Sequence, residues 1–205
     1  MDNMKEHWES VWTRKKSNQV SWYQQYPKTS IDLILSTNLS KDARIIDVGG
    51  GDSNLVDKLL DLGFKNMTVL DISSKALERA KERLGKRAEM VKWIECDIRE
   101  FDTNDRYDIW HDRALLHFLT SEEDLKNYVE LTRKHVKEGG YLILSTFSTN
   151  GPMMCSGLDT KQFSEESMKK LFSNGFDHVK SFEEEHTTPF GIGQIFTWNV
   201  FRKTP

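Results

Sequence analysis

The chain has 205 residues, 37% of them hydrophobic and 11% aromatic, enough apolar material for the core of one domain. Its 29 Lys and Arg nearly balance 32 Asp and Glu, for a net charge of −3, so the basic excess of a general nucleic-acid binder is missing. No apolar run approaches the ~20 residues of a membrane-spanning helix, the charged start lacks a signal-like apolar stretch, and Cys96 and Cys155 supply neither a disulfide framework nor a zinc centre. The expectation is a soluble, cytoplasmic, single-domain protein with no metal, no membrane partner and no nucleic-acid partner.

Two amphipathic segments come first, marked by Trp8, Val11 and Trp12 and then by Ile31, Ile34 and Leu35. They form an N-terminal helical cap over 1–40, ahead of a core over 41–205. The apolar run 44–48 predicts a strand, and Leu55, Val56, Leu59 and Leu60 follow at helical spacing. A second strand over 67–70 ends at Asp71. Ser73 or Ser74 can then cap a helix whose buried stripe is Ala76, Leu77, Ala80 and Leu84. Strands are predicted at about 90–95 and 107–110. Leu125, Tyr128, Val129, Thr132 and Val136 mark a helix over 121–137 that Gly139 and Gly140 stop. The longest strand covers 141–147. A short helix near 164–174 precedes two final strands, at about 178–186 and 193–202. Strands spaced by such helices make βαβ units. The predicted fold is α/β: one doubly wound, mostly parallel seven-stranded sheet, helices on both faces, with an antiparallel edge strand. Ligands of such sheets lie beyond the carboxyl ends of the strands, at the switch point after the first strand.

Asp47-Val48-Gly49-Gly50-Gly51-Asp52-Ser53 is a strand-to-helix glycine turn, where backbone can approach a ligand closely. By itself such a turn can serve packing alone. Asp71, 20 residues after Gly51, ends the next strand, where a carboxylate can take two ribose hydroxyls. Asp97 ends the third, where it can accept from an adenine amino group while Ile72 and Ile98 flank the ring. A dinucleotide would need a small residue at position 54, which is Asn, and a helix N-terminus hospitable to pyrophosphate. Asp47 and Asp52 instead put carboxylates beside the turn. They favour a cationic, phosphate-free ligand such as S-adenosylmethionine, with its sulfonium and ammonium groups.

These motifs resemble those of the class I (seven-stranded, Rossmann-like) S-adenosylmethionine-dependent methyltransferases, clearly over 40–147. The resemblance implies that Asp47 and the backbone of Gly49, Gly50 and Gly51 hold the methionine part of the cofactor. It places ribose at Asp71, adenine at Ile72, Asp97 and Ile98, and the transferred methyl at His111 and its neighbours in Asp108-Ile109-Trp110-His111-Asp112-Arg113.

The sulfonium already activates the methyl group, so the enzyme chiefly aligns donor and acceptor and excludes water. His111 or Asp112 can act as base or orienter, and Arg113 can hold a carboxylate; equally, Asp112 and Arg113 can pair with one another. His117, between apolar neighbours, reads as a packed histidine against cofactor or core. Cys155, in a loop with two Met, and His186, at a strand end, can face the acceptor. Trp22 and Tyr23 have polar neighbours and no helical period; such rings can enclose a sulfonium by cation–π attraction. That segment is loosely similar to the start of thiopurine and thiol methyltransferases, which points to a small, soft acceptor. Asp112-Arg113-Ala114 partly matches the Asp-Lys-Gly of one group of protein-lysine methyltransferases, so a protein acceptor is the alternative. A non-catalytic cofactor-binding protein and a nicotinamide-dependent oxidoreductase are the other readings.

Overall fold

Every apolar segment picked out above becomes a helix or strand. The computed structural model describes residues 2–205, in which the elements follow in the order α1 (Asp2–Arg14), α2 (Lys28–Ser36), β1 (Arg44–Val48), α3 (Leu55–Asp61), β2 (Asn66–Asp71), α4 (Ser74–Leu84), β3 (Val91–Glu95), β4 (Tyr107–Arg113), α5 (Glu122–His135) and β5 (Val136–Phe147). A small ribbon, β6 (Met154–Cys155) and β7 (Leu158–Asp159), leads to α6 (Glu165–Phe172), β8 (Phe176–Thr187) and β9 (Gly193–Lys203).

The seven-stranded sheet has the order β3-β2-β1-β4-β5-β9-β8. The first five are parallel; β9 runs antiparallel to β5, and β8 closes that edge antiparallel to β9. Both faces are covered. Residues of α2, α3 and α4 pack with Ile45, Val69, Ile109 and Ile143 on one side, and α5 and α6 pack with Ile46, Leu70, Trp110 and Leu144 on the other. Helix α4 shows how the sequence dictates this. The Ser73 hydroxyl accepts from the Ala76 N–H at 3.2 Å and starts the helix. Ala76, Leu77, Ala80 and Leu84 are its buried stripe, each leucine contributing roughly 1.5–3 kcal/mol on burial.

Two local expectations change. Helix α5 ends at His135 rather than at 137, and the glycines do not stop it, because Val136 is fully buried and pairs with Tyr107 as the first residue of β5. Gly139 (φ +73°) and Gly140 lie within that strand, beside a break in its register with β4; a Cβ at Gly140 would come within 2.9 Å of the Asp108 carbonyl. In α2 it is Leu33 that is buried, while Leu35 is exposed.

Candidate active site

Between β1 and β4 the sheet order reverses, and the glycine turn sits there. Gly49 and Gly51 have φ of +67° and +47°, a region costly for residues with a Cβ. A Cβ at Gly49 would lie 2.8 Å from the Leu115 side chain, and one at Gly50 would lie 2.6 Å from the Asp47 carboxylate. The Gly50 N–H donates to the Leu70 carbonyl, tying the turn to β2. Asp47 is buried beneath the turn, where its Oδ1 accepts from His111 Nδ1 at 2.7 Å, and His111 Nε2 meets Ser30 Oγ at 2.9 Å. Asp52 is different from its sequence reading. It pairs with Arg83 and accepts from the Ser17 hydroxyl, so its charge is offset.

Asp71 closes β2 with its carboxylate buried and Oδ1 accepting from the Ser73 N–H at 2.8 Å. Burial pushes its pKa up to about 7; the Ser73 N–H opposes this, and the nearby charges of Asp47 and Glu9 add to it. At Asp97 burial also opposes ionisation, but the side chain and N–H of Arg99 outweigh it and hold the carboxyl below its ordinary range. Arg99 donates to it through N–H at 2.9 Å and Nε at 3.0 Å.

Helix α1 roofs these strand ends. Glu9 fixes it there, accepting from the N–H groups of Ser74 (2.6 Å) and Lys75 (3.2 Å) at the start of α4, where a carboxylate is favoured by the helix dipole. Trp22 meets Trp8 and Trp12 edge to face, with ring centres 5.8 and 6.0 Å apart. Beneath the roof lies a cleft. Gly49, Asp71, Ile72, Asp97 and Ile98 line it at the ends of β1–β3; Arg113, His117, Phe147, Cys155, Gln194 and Phe196 line it past β4, β5 and β9; Trp8, Trp12 and Trp22 line the roof.

Several expected residues stand elsewhere. His111 and Asp112 are buried and do not line the cleft. The sheet is covered on both sides, and alternation in β4 sends His111 towards α2 and Asp112 towards α5. Asp112 accepts from the N–H groups of Leu115 (2.9 Å) and Leu116 (3.3 Å) and from Tyr128 Oη (2.6 Å). It therefore fixes the turn after β4 and does not pair with Arg113. Burial is the main cause that raises its pKa, to about 6. Tyr23 packs with the α1 cluster. His186 Nε2 donates to the Ser21 carbonyl at 2.7 Å and holds that segment against β8; neither residue lines the cleft. Cys155 does, but burial raises its thiol pKa, which disfavours a nucleophilic thiolate.

His117 is instead the histidine in the cleft. It is fully buried and stacked on Phe147, centroids 4.2 Å apart, and burial lowers its pKa to about 3. Gln194 and Phe196, from β9, escaped the sequence reading altogether. The one signal for Phe196 is its register opposite Phe147, visible only once β9 is known to pair with β5. Among the described residues no cluster of His, Cys, Asp and Glu could hold a metal ion, and no helix is long and apolar enough to cross a membrane.

A family model described as a methyltransferase domain matches residues 39–197. The N-terminal Xaa-Pro-Lys N-methyltransferase 1-A of Xenopus laevis is 24% identical over 166 residues, covering 79% of this chain and 73% of that protein. The eEF1A lysine and N-terminal methyltransferase of Bos taurus is 22% identical over 138 residues, 67% of this chain; the chain spans only 20% of that relative's length. In structure, the N-methyltransferase NodS of Bradyrhizobium japonicum WM9 in complex with S-adenosyl-L-homocysteine superposes with a TM-score of 0.74 at 18% identity, over 96% of this chain and 98% of that one. With most of its length matched by the family model and a sheet of the same architecture, the chain belongs to the class I S-adenosylmethionine-dependent methyltransferases.

Proposed function

We propose that this protein transfers the methyl group of S-adenosylmethionine to a small-molecule acceptor by in-line displacement. The residues fit the cofactor: Gly49, in a turn with no room for a Cβ, lines the cleft, and a buried carboxylate, Asp71, lines it beside the turn. In this reading the backbone of Gly49–Gly51, underpinned by Asp47, holds the methionine part. Asp71 takes the ribose hydroxyls, Ile72, Asp97 and Ile98 take adenine, and Trp22 covers the sulfonium. The cofactor supplies a methyl group already activated on positively charged sulfur.

What supports a small acceptor is the roof. Trp8 and Trp12 of α1 and Trp22 cover a cleft whose further part is walled by Phe147, Phe196 and Cys155. Such a chamber shields donor and acceptor from water and aligns them, which is most of what this displacement requires. In the acceptor part of the cleft, His117 is ill suited to removing a proton from a strongly basic nucleophile. His117 is a weak base with its pKa near 3, and Asp97 is committed to Arg99. An acceptor that reacts neutral or already deprotonated is favoured.

A protein acceptor is the second reading. Ala114 has φ +73°, a conformation that favours glycine, at the position where the Asp-Lys-Gly pattern has glycine. The relatives named above for lysine and N-terminal methylation are consistent with it. Calorimetry with S-adenosylhomocysteine tests the shared premise: micromolar binding is expected, and tight NAD binding in its place would refute it.

A further inference from the structure

The acceptor part of the cleft holds a cation outside any ion pair among the described residues. Arg113 ends β4 and lines the cleft; its one hydrogen bond goes from Nη2 to the Trp22 carbonyl, and it makes no ion pair among the described residues. Asp47 and Glu184 act on it only from a distance, and burial brings its pKa down to about 10. Asp47 is taken by His111, and both oxygens of Glu184 are taken, by Thr29 and Trp198. A partly desolvated guanidinium calls for an anion, with which it can make two parallel hydrogen bonds.

A second, independent demand comes from His117. Its Nδ1 accepts from the Phe147 N–H at 3.3 Å, which leaves the proton of the neutral ring on Nε2. That atom is buried without a hydrogen-bond partner, as is Oε1 of Gln194, and both residues line the same cleft. Buried polar groups of this kind are normally satisfied. Around them the walls are the rings of Phe147 and Phe196, 4.8 Å apart.

We infer that the methyl acceptor is an apolar, ring-sized molecule bearing a carboxylate, held by Arg113 with His117 Nε2–H as a further donor and Gln194 receiving a hydrogen from the acceptor. This rests on the methyltransferase reading and narrows it, because the same cation repels a lysine or N-terminal ammonium.

The test is calorimetry on the full chain saturated with S-adenosylhomocysteine, using benzoate, phenylacetate and 3-phenylpropionate, each against its carboxamide. At least one carboxylate is expected to bind about tenfold tighter than its amide, a preference that Arg113→Gln removes and Arg113→Lys only weakens. Equal binding of acids and amides, or no saturation by any acid up to about 10 mM, would overturn the inference. So would a loss of about tenfold or more in S-adenosylhomocysteine affinity in Arg113→Gln, because the guanidinium would then serve the cofactor's own carboxylate. The wild-type comparison holds even where a variant does not fold. Failure of the wild-type protein to bind S-adenosylhomocysteine at all would refute the methyltransferase reading instead.

Discussion

His111 Nδ1 lies 2.7 Å from Asp47 Oδ1, and the two residues face one another across β4 and β1, both buried. The pair lies beneath the glycine turn rather than inside the cleft, so in the proposed reading His111 acts on the cofactor only through Asp47. His111→Ala leaves the Asp47 carboxylate without its donor, at a cost of about 1–3 kcal/mol in stability. Thermal unfolding should show that loss, and the KM for S-adenosylmethionine should rise. A fall in kcat with KM and Tm unchanged would instead put His111 at the reacting atoms.

Asp71 makes the cofactor-free protein sensitive to pH. Its pKa, about 7 against an ordinary 3.8, means that the native state binds a proton more tightly than the unfolded chain. Its contribution to stability is therefore complete below about pH 4 and is lost as pH rises to about 7. Asp112, raised to about 6, acts in the same direction. Asp71→Asn should raise the stability of the cofactor-free protein more at pH 8 than at pH 5, by roughly 1–3 kcal/mol. It should at the same time weaken S-adenosylhomocysteine binding by about tenfold or more. Unchanged affinity would refute the ribose assignment.

Asp112 is a support for the loop that follows β4. Asp112→Ala removes the acceptor of two backbone N–H groups and of Tyr128 Oη, with an expected loss of about 2–4 kcal/mol. Asp112→Asn, which keeps one acceptor oxygen, should lose less. A stable Asp112→Ala protein with normal affinity and no turnover would show that the carboxylate acts in the chemistry.

Glu9 gives the roof its hold. Glu9→Ala frees α1 from the start of α4, at a cost of about 1 kcal/mol. The N-terminal helix should then be cut faster in limited proteolysis, with S-adenosylhomocysteine restoring protection. Equal cutting rates in both proteins would mean that α1 stays docked without this contact.

The side of the cleft proposed for the cofactor was legible in the sequence as a set of strand ends and turns. Gly49, Asp71 and Asp97 each end a run of apolar residues that can be counted. Asp52 was misread, since its partner Arg83 comes from another helix. The acceptor side was far less legible. His111 and His117 are equally plausible on paper, and only the direction of β4 and the turn fixed by Asp112 send one under the glycines and the other into the cleft. Gln194 and Phe196 arrive from β9, and their place depends on an antiparallel register that no local pattern announces.

Methyl transfer from radiolabelled S-adenosylmethionine into a cell extract, separated into protein and small-molecule fractions, tests the central claim most directly. Label is expected in the small-molecule fraction and to fall sharply with Asp71→Ala. Label confined to a protein band that survives denaturation would contradict a small acceptor and establish a protein substrate.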